Sequence, residues 1–330
     1  SRYQITVGGM CVRLGFIVSI AMICLVAARA PTPALAEEPR PPGAGARAAI
    51  VVDADTGAVL YERDAHEELH PASLTKMVTA LVAVERAPLD KVVRVTHQID
   101  VVPVTIGLEP GDALPLGDVL YGLLLDSGND AAVAIAESVG DGSTARFVGW
   151  MNQLAVELGL TNTRFKNPHG LDADGHVSSA YDMAIVGRAL MRQPVLAGIV
   201  AQGRHVVEGP PRWVFRTRNP LLGVYAGVDG IKTGYDDLAG RCLVATATRD
   251  GRRAIAVVMN SPRYDLDAAS LLDYAFGDGE WGHRGTGKSE PKPTEPRIAM
   301  LRADMQGAGS DAPPVLGRAL RATTASGGGS

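Results

Sequence analysis

Ser73-Leu74-Thr75-Lys76 stands at the head of an apolar helical run, and further along the chain come Ser127-Gly128-Asn129 and then Lys232-Thr233-Gly234. Each of these words alone is common. S-x-x-K in isolation reads most simply as a helix N-terminus with a serine cap and a solvated lysine. Their joint appearance in this order is what carries meaning. A serine hydroxyl is a poor nucleophile until a base removes its proton, and residues three apart on a helix share a face. Ser73 and Lys76 have that spacing. For Lys76 to be the base its pKa must fall from about 10.4 toward neutrality, which burial and a neighbouring cation can bring about. Lys232 is the candidate cation.

Working outward from these words, the spacing predicts a helix over 73–86 with Met77, Ala80, Leu81 and Val84 on one face, ended by Pro88. Before it, residues 48–53 and 58–62 flank Asp55-Thr56-Gly57 and read as a β-hairpin. Ser127-Gly128-Asn129 separates two apolar helical runs, 116–125 and 131–139, so a polar loop is held inside the fold. Further helices are expected over 145–158, 180–192 and 266–276, the middle one opened by Ser179 and Asp182 as a capping-box variant. Late hairpins are expected over 204–208 with 212–217 and over 241–248 with 253–260, while 228–231 reads as a strand running into Lys232. Strands at both ends with helices between them imply an α+β arrangement, one antiparallel sheet assembled from distant segments. Gly234 is expected to let a substrate backbone approach closely.

The neighbourhoods Ala72 to Met77, Ser127 to Ala132, Asn167-Pro168-His169-Gly170-Leu171 and Asp229 to Tyr235 resemble D-alanyl-D-alanine carboxypeptidases, the low-molecular-mass penicillin-binding proteins. The resemblance covers residues 48–276. It implies a β-lactamase/transpeptidase-like fold, an antiparallel sheet flanked by helices with a mostly helical subdomain. It also implies a serine acyl-enzyme cycle on the D-Ala-D-Ala end of peptidoglycan stem peptides, blocked covalently by β-lactams and needing no cofactor. In that scheme Ser73 attacks the carbonyl between the two D-alanines, Lys76 takes its proton and Ser127 relays a proton to the leaving amine. Asn129 positions the substrate amide, Lys232 supplies positive potential, and Thr233 binds the terminal carboxylate beside Gly234. The N–H groups of Ser73 and Tyr235 form the oxyanion hole, and Arg263 is the candidate for a further carboxylate contact. Asn219 and His169 read as structural.

Three rivals are set against this reading. DD-endopeptidase action on cross-links would present the same D-Ala carbonyl to Ser73. A class A β-lactamase would add a glutamate with an asparagine four residues on to activate water, whereas Glu157 and Asn162 are five apart. His66-Glu67-Glu68-Leu69-His70 matches the H-E-x-x-H zinc peptidase pattern, which works only on a helix, and Pro71 argues against one there. No metal is therefore expected.

The ends of the chain differ from its middle. Met10, Arg13, the apolar residues 14–28 and Ala34-Leu35-Ala36 have the layout of an export signal, placed at 1–36, with a Pro- and Gly-rich linker at 37–47. Export would remove Cys11 and Cys24, leaving Cys242 as a buried structural thiol with no disulfide partner. Residues 277–330 are rich in Gly, Ser and Pro and read as a low-complexity tail. A net charge of −4 argues against a nucleic-acid partner. The expected location is the periplasm or cell surface, with membrane association left open, since relatives carry a β-rich second domain and an amphipathic anchor where this chain has the tail.

Overall fold

The computed structural model describes residues 41–101, 103–209 and 211–277, so the signal segment and nearly all of the tail lie outside the described residues. Strands β1 (Ala48–Asp53) and β2 (Val59–Arg63) form the expected hairpin. A 3-10 turn, Ala72–Thr75, leads into α1 (Lys76–Arg86). Short strands β3 (Val92–Arg94) and β4 (Ala113–Pro115) pair, and α2 (Leu116–Leu124), α3 (Asn129–Val139) and α4 (Thr144–Glu157) follow. Then come α5 (Ala180–Met191), α6 (Pro194–Val200), β5 (Arg204–Val207) and β6 (Trp213–Arg216). The chain closes with β7 (Val228–Asp236), β8 (Gly240–Arg249), β9 (Arg252–Met259) and α7 (Tyr264–Phe276).

The main sheet has the order β2-β1-β9-β8-β7, so β1 pairs with β9 across almost the whole domain and β7 is left on an edge. Side chains on a strand alternate between faces, and here both faces are dry. Ile50, Val52, Val244, Ile255 and Val257 join one core with α1 and α5. Ala49, Val51, Leu243, Ala245 and Val258 join the other with Leu271 and Leu272 of α7. This is the α+β fold expected from the sequence.

Three details depart from expectation. The 204–217 hairpin does not enter the main sheet. It forms its own two-stranded sheet against α2, where His205 stacks on Tyr121 at 3.5 Å and Phe215 joins Ile106 in the space left by Gly122. The capping box of α5 is half formed: Ser179 Oγ accepts from Asp182 N, but Asp182 turns its Oδ2 to Asn162 N and Thr163 Oγ1. Helix α6, with proline in its first turn, was not anticipated, because its seven residues are too few to show a period.

Candidate active site

The turn that carries Ser73 is held from several directions. Ala72 sits at φ +46°, a left-handed conformation that a non-glycine residue adopts only when its surroundings fix it. Gly234 of β7 packs on the turn so closely that a Cβ would lie 3.1 Å from Pro71 O. The glycine therefore serves contact between β7 and the serine turn, bringing the Tyr235 backbone alongside Ser73. On the other side Thr75 Oγ1 lies 2.9 Å from His176 Nε2, and Thr79 Oγ1 donates to Pro168 O at 2.6 Å. These bonds tie the turn and α1 to the loop over residues 163–178.

Lys76 is fully buried, and its Nζ has three neighbours: Ser73 Oγ at 2.8 Å, Asn129 Oδ1 at 2.6 Å and His169 O at 2.7 Å. Asn129 Oδ1 and the carbonyl can only accept. A neutral amine would give them its two protons and turn its lone pair to the Ser73 hydroxyl. Burial, then the charges of Lys232 and Arg218, hold the Lys76 pKa well below the usual lysine range against the opposing pull of Asp130. The constellation thus favours the state in which Lys76 can accept the Ser73 proton.

Ser127 and Lys232 form the second half of the site. Ser127, at φ +67°, places its Oγ 2.9 Å from Lys232 Nζ, which also donates to Thr233 O at 2.9 Å. Lys232 is buried, and burial with the nearby Arg218 charge brings its pKa down to about 7, Asp126 pulling the other way. Asn129 is buried at the start of α3, and its N–H donates to Val104 O at 2.7 Å. Thr233 shares a face of β7 with exposed Tyr235.

Sequence reasoning missed two residues here. Asp130 is buried and accepts from the N–H groups of Ile106, Gly107, Leu108 and Ala131, so one carboxylate pins the 104–108 loop beside Asn129. Its signal was available, since an aspartate between Asn129 and two alanines of an apolar helix must have partners. Arg218 is exposed, and nothing in its sequence context separates it from other surface arginines.

Several expectations are corrected or sharpened. Arg263 is the exposed residue preceding α7, its N–H bonded to Ser261 Oγ, and among the described residues it bonds to no member of the constellation. A different arginine, Arg218, is the one whose charge lowers the pKa of both Lys76 and Lys232. His66 and His70 lie in a loop, not on a helix, with His66 against Tyr181 and His70 3.5 Å from Asp172, so the zinc geometry is not formed. Glu157 is exposed and accepts from Gln153, while Asn162 is tied to Asp182. The loop beside Ser73 offers Lys76 the His169 carbonyl. Asn219 is structural, donating to Gly230 O at 2.8 Å and accepting from Leu221 N at 3.0 Å. His169 fixes its loop by accepting from Leu171 N at 3.1 Å, and burial with the nearby Lys76 pushes its pKa down to about 4. Cys242 is buried, its thiol pKa pushed up to about 12 by burial, which makes it inert.

Residues 35–263 match the Peptidase_S11 family model, D-alanyl-D-alanine carboxypeptidase. The chain is 40% identical over 247 residues to the D-alanyl-D-alanine carboxypeptidase DacF of Bacillus subtilis, covering 71% of this chain and 63% of that protein. It is 39% identical to DacC of Escherichia coli over 75% of this chain and 65% of that one. The chain therefore spans just under two thirds of the length of these two relatives. A D-alanyl-D-alanine carboxypeptidase structure from Mycobacterium tuberculosis superposes with a TM-score of 0.68 at 34% identity, covering 73% of this chain and 94% of that one.

Proposed function

From the premise that the chain belongs to the S11 family of D-alanyl-D-alanine carboxypeptidases, we propose that it removes the terminal D-alanine from peptidoglycan stem peptides through an acyl-enzyme on Ser73. The observation that carries this reading is Lys76 Nζ, buried, 2.8 Å from Ser73 Oγ and flanked by two pure acceptors.

Ser73 Oγ attacks the carbonyl carbon between the two D-alanines as its proton moves to Lys76 Nζ. The oxyanion is held by the N–H groups of Ser73 and Tyr235, a contribution of roughly 3 kcal/mol per donor. When the C–N bond breaks, Ser127 Oγ gives its proton to the leaving amine and is reprotonated from the lysine side. The net result is transfer of the Ser73 proton to free D-alanine. Water then attacks the ester, Lys76 accepts its proton, and Ser73 Oγ departs protonated. Lys232, Thr233 and Arg218 provide the positive and hydrogen-bonding surface for the terminal carboxylate. Because β7 is an edge strand, a peptide can lie against its free side.

The same carbonyl-binding surface accepts a β-lactam amide, and the placing of Glu157 on the surface with Gln153 and of Asn162 against Asp182 supports a persistent penicilloyl ester. The signal-like segment at 1–36 supports action outside the cytoplasm, at the periplasm or cell surface. Among the described residues no single helix is long and apolar enough to cross a membrane. The function is tested by measuring D-alanine released from a peptide ending in D-Ala-D-Ala. Wild type is expected to release it and Ser73→Ala is not. A folded wild type that neither releases D-alanine nor is acylated by penicillin contradicts the assignment.

A further inference from the structure

On the face of β7 that Thr233 shares with Tyr235 lies a surface that the mechanism does not use. Tyr235 is 63% exposed, and Arg241 lies directly opposite it in the β7–β8 register. Opposed residues of antiparallel strands project to the same face. The Arg241 guanidinium carbon is 5.8 Å from the Tyr235 ring centroid and 5.5 Å from that of Tyr264, so two aromatic rings hold it. Tyr235 is itself braced by its hydroxyl, which donates to Asp237 Oδ1 at 3.4 Å. Arg241 is exposed, and no carboxylate among the described residues forms an ion pair with it. A guanidinium positioned by rings rather than by a carboxylate keeps N–H groups to offer, and its planar fork can take a carboxylate bidentately.

The direction of the substrate places a ligand there. With its terminal carboxylate at Lys232 and Thr233 and its reacting carbonyl at Tyr235 N–H, a bound peptide must run antiparallel to β7. Its preceding residues then pass toward Asp237 and the exposed Leu238. The penultimate position lies opposite Tyr235, and by the period of two an L-residue two positions before it projects its side chain to the face that Tyr235 occupies. Resting on the function proposed above, we propose that Arg241, clamped by Tyr235 and Tyr264, is a specificity site for a side-chain carboxylate on that residue of the donor peptide.

The test compares acetyl-Glu-Lys-D-Ala-D-Ala with acetyl-Gln-Lys-D-Ala-D-Ala. Wild type should favour the glutamate peptide by about fivefold in kcat/KM, the scale of an exposed charge pair, expressed mainly in KM. Arg241→Met should treat both peptides alike, Arg241→Lys should keep part of the preference, and benzylpenicillin should acylate both variants at the wild-type rate. Raising the ionic strength should shrink the wild-type ratio without any mutation. Equal turnover of the two peptides by wild type, or a preference that survives Arg241→Met or high salt, would overturn the inference. Failure of wild type to cleave either peptide would overturn the function itself and this site with it.

Discussion

At the residue scale the proposed mechanism asks two buried lysines to hold opposite protonation states. Lys76 works neutral, and its pKa is held well below the usual range chiefly by burial. Lys232 works charged, and its pKa of about 7 means that it loses its proton as the pH rises through neutrality. The kcat/KM for acylation, which reports the free enzyme, is therefore expected to show a basic limb near pH 7. Because a bound carboxylate favours the charged lysine, the basic limb of kcat should lie higher. Lys232→Arg keeps its charge at every accessible pH, so the limb should vanish from the pH profile even though the rate falls. A limb of unchanged midpoint in that variant would mean that another group titrates. Serine, lysines and Asn129 were legible in the sequence because their chemistry demands those residue types. Arg218 was not, because a long-range charge has no local pattern.

At the scale of elements, the site is made where three segments touch: the 3-10 turn, the start of α3 and the edge strand β7. The loop over residues 163–178 closes them from the side. Its tightest point is Gly170, at φ +92°, where a Cβ would collide with Ala72 O. Gly170→Ala is expected to cost about 2–4 kcal/mol, from the strained backbone and the clash together, and to slow penicillin acylation by displacing the His169 carbonyl from Lys76. Gly142→Ala is the control, since Gly142 has a positive φ but open space around it, and its cost should stay near 1 kcal/mol. Thermal melts and acylation rates of the two variants would decide the matter. Equal loss of stability with unaffected acylation would show that the loop does not position the base. The first hairpin and α1 to α5 were legible because their apolar periods are long and their ends marked. The first turn of the serine helix is 3-10 and α7 starts two residues early, shifts that depend on capping geometry. The β5–β6 hairpin was legible, but its place outside the main sheet was not, because the Tyr121 and Gly122 that it packs on are remote in sequence.

Across the whole molecule, β1 pairs with β9, so the hairpin that precedes Ser73 and the β7–β8–β9 meander that bears Lys232 belong to one sheet. Stability of that assembly should depend on acid in a predictable direction. His176 is buried, its Nε2 facing Thr75 Oγ1 and its Nδ1 accepting from Lys166 N at 3.1 Å, and burial holds its pKa down to about 4. The unfolded chain would bind that proton near pH 6.5. The stabilising effect of the neutral ring is therefore complete above about pH 6.5 and declines as the pH falls toward 4, by roughly 2–3 kcal/mol for this residue. His169 titrates in the same window, so the melting temperature should fall steeply there, and His176→Gln should flatten the fall. A melting temperature independent of pH between 6.5 and 4 would contradict this burial. The central claim, that Ser73 becomes acylated with Lys76 as its base, is tested most directly by the intact mass of the full chain after brief exposure to benzylpenicillin. The account predicts one persistent adduct on wild type and none on Ser73→Ala. An adduct that survives in Ser73→Ala, or penicillin left intact by a wild type that carries no adduct, would contradict it.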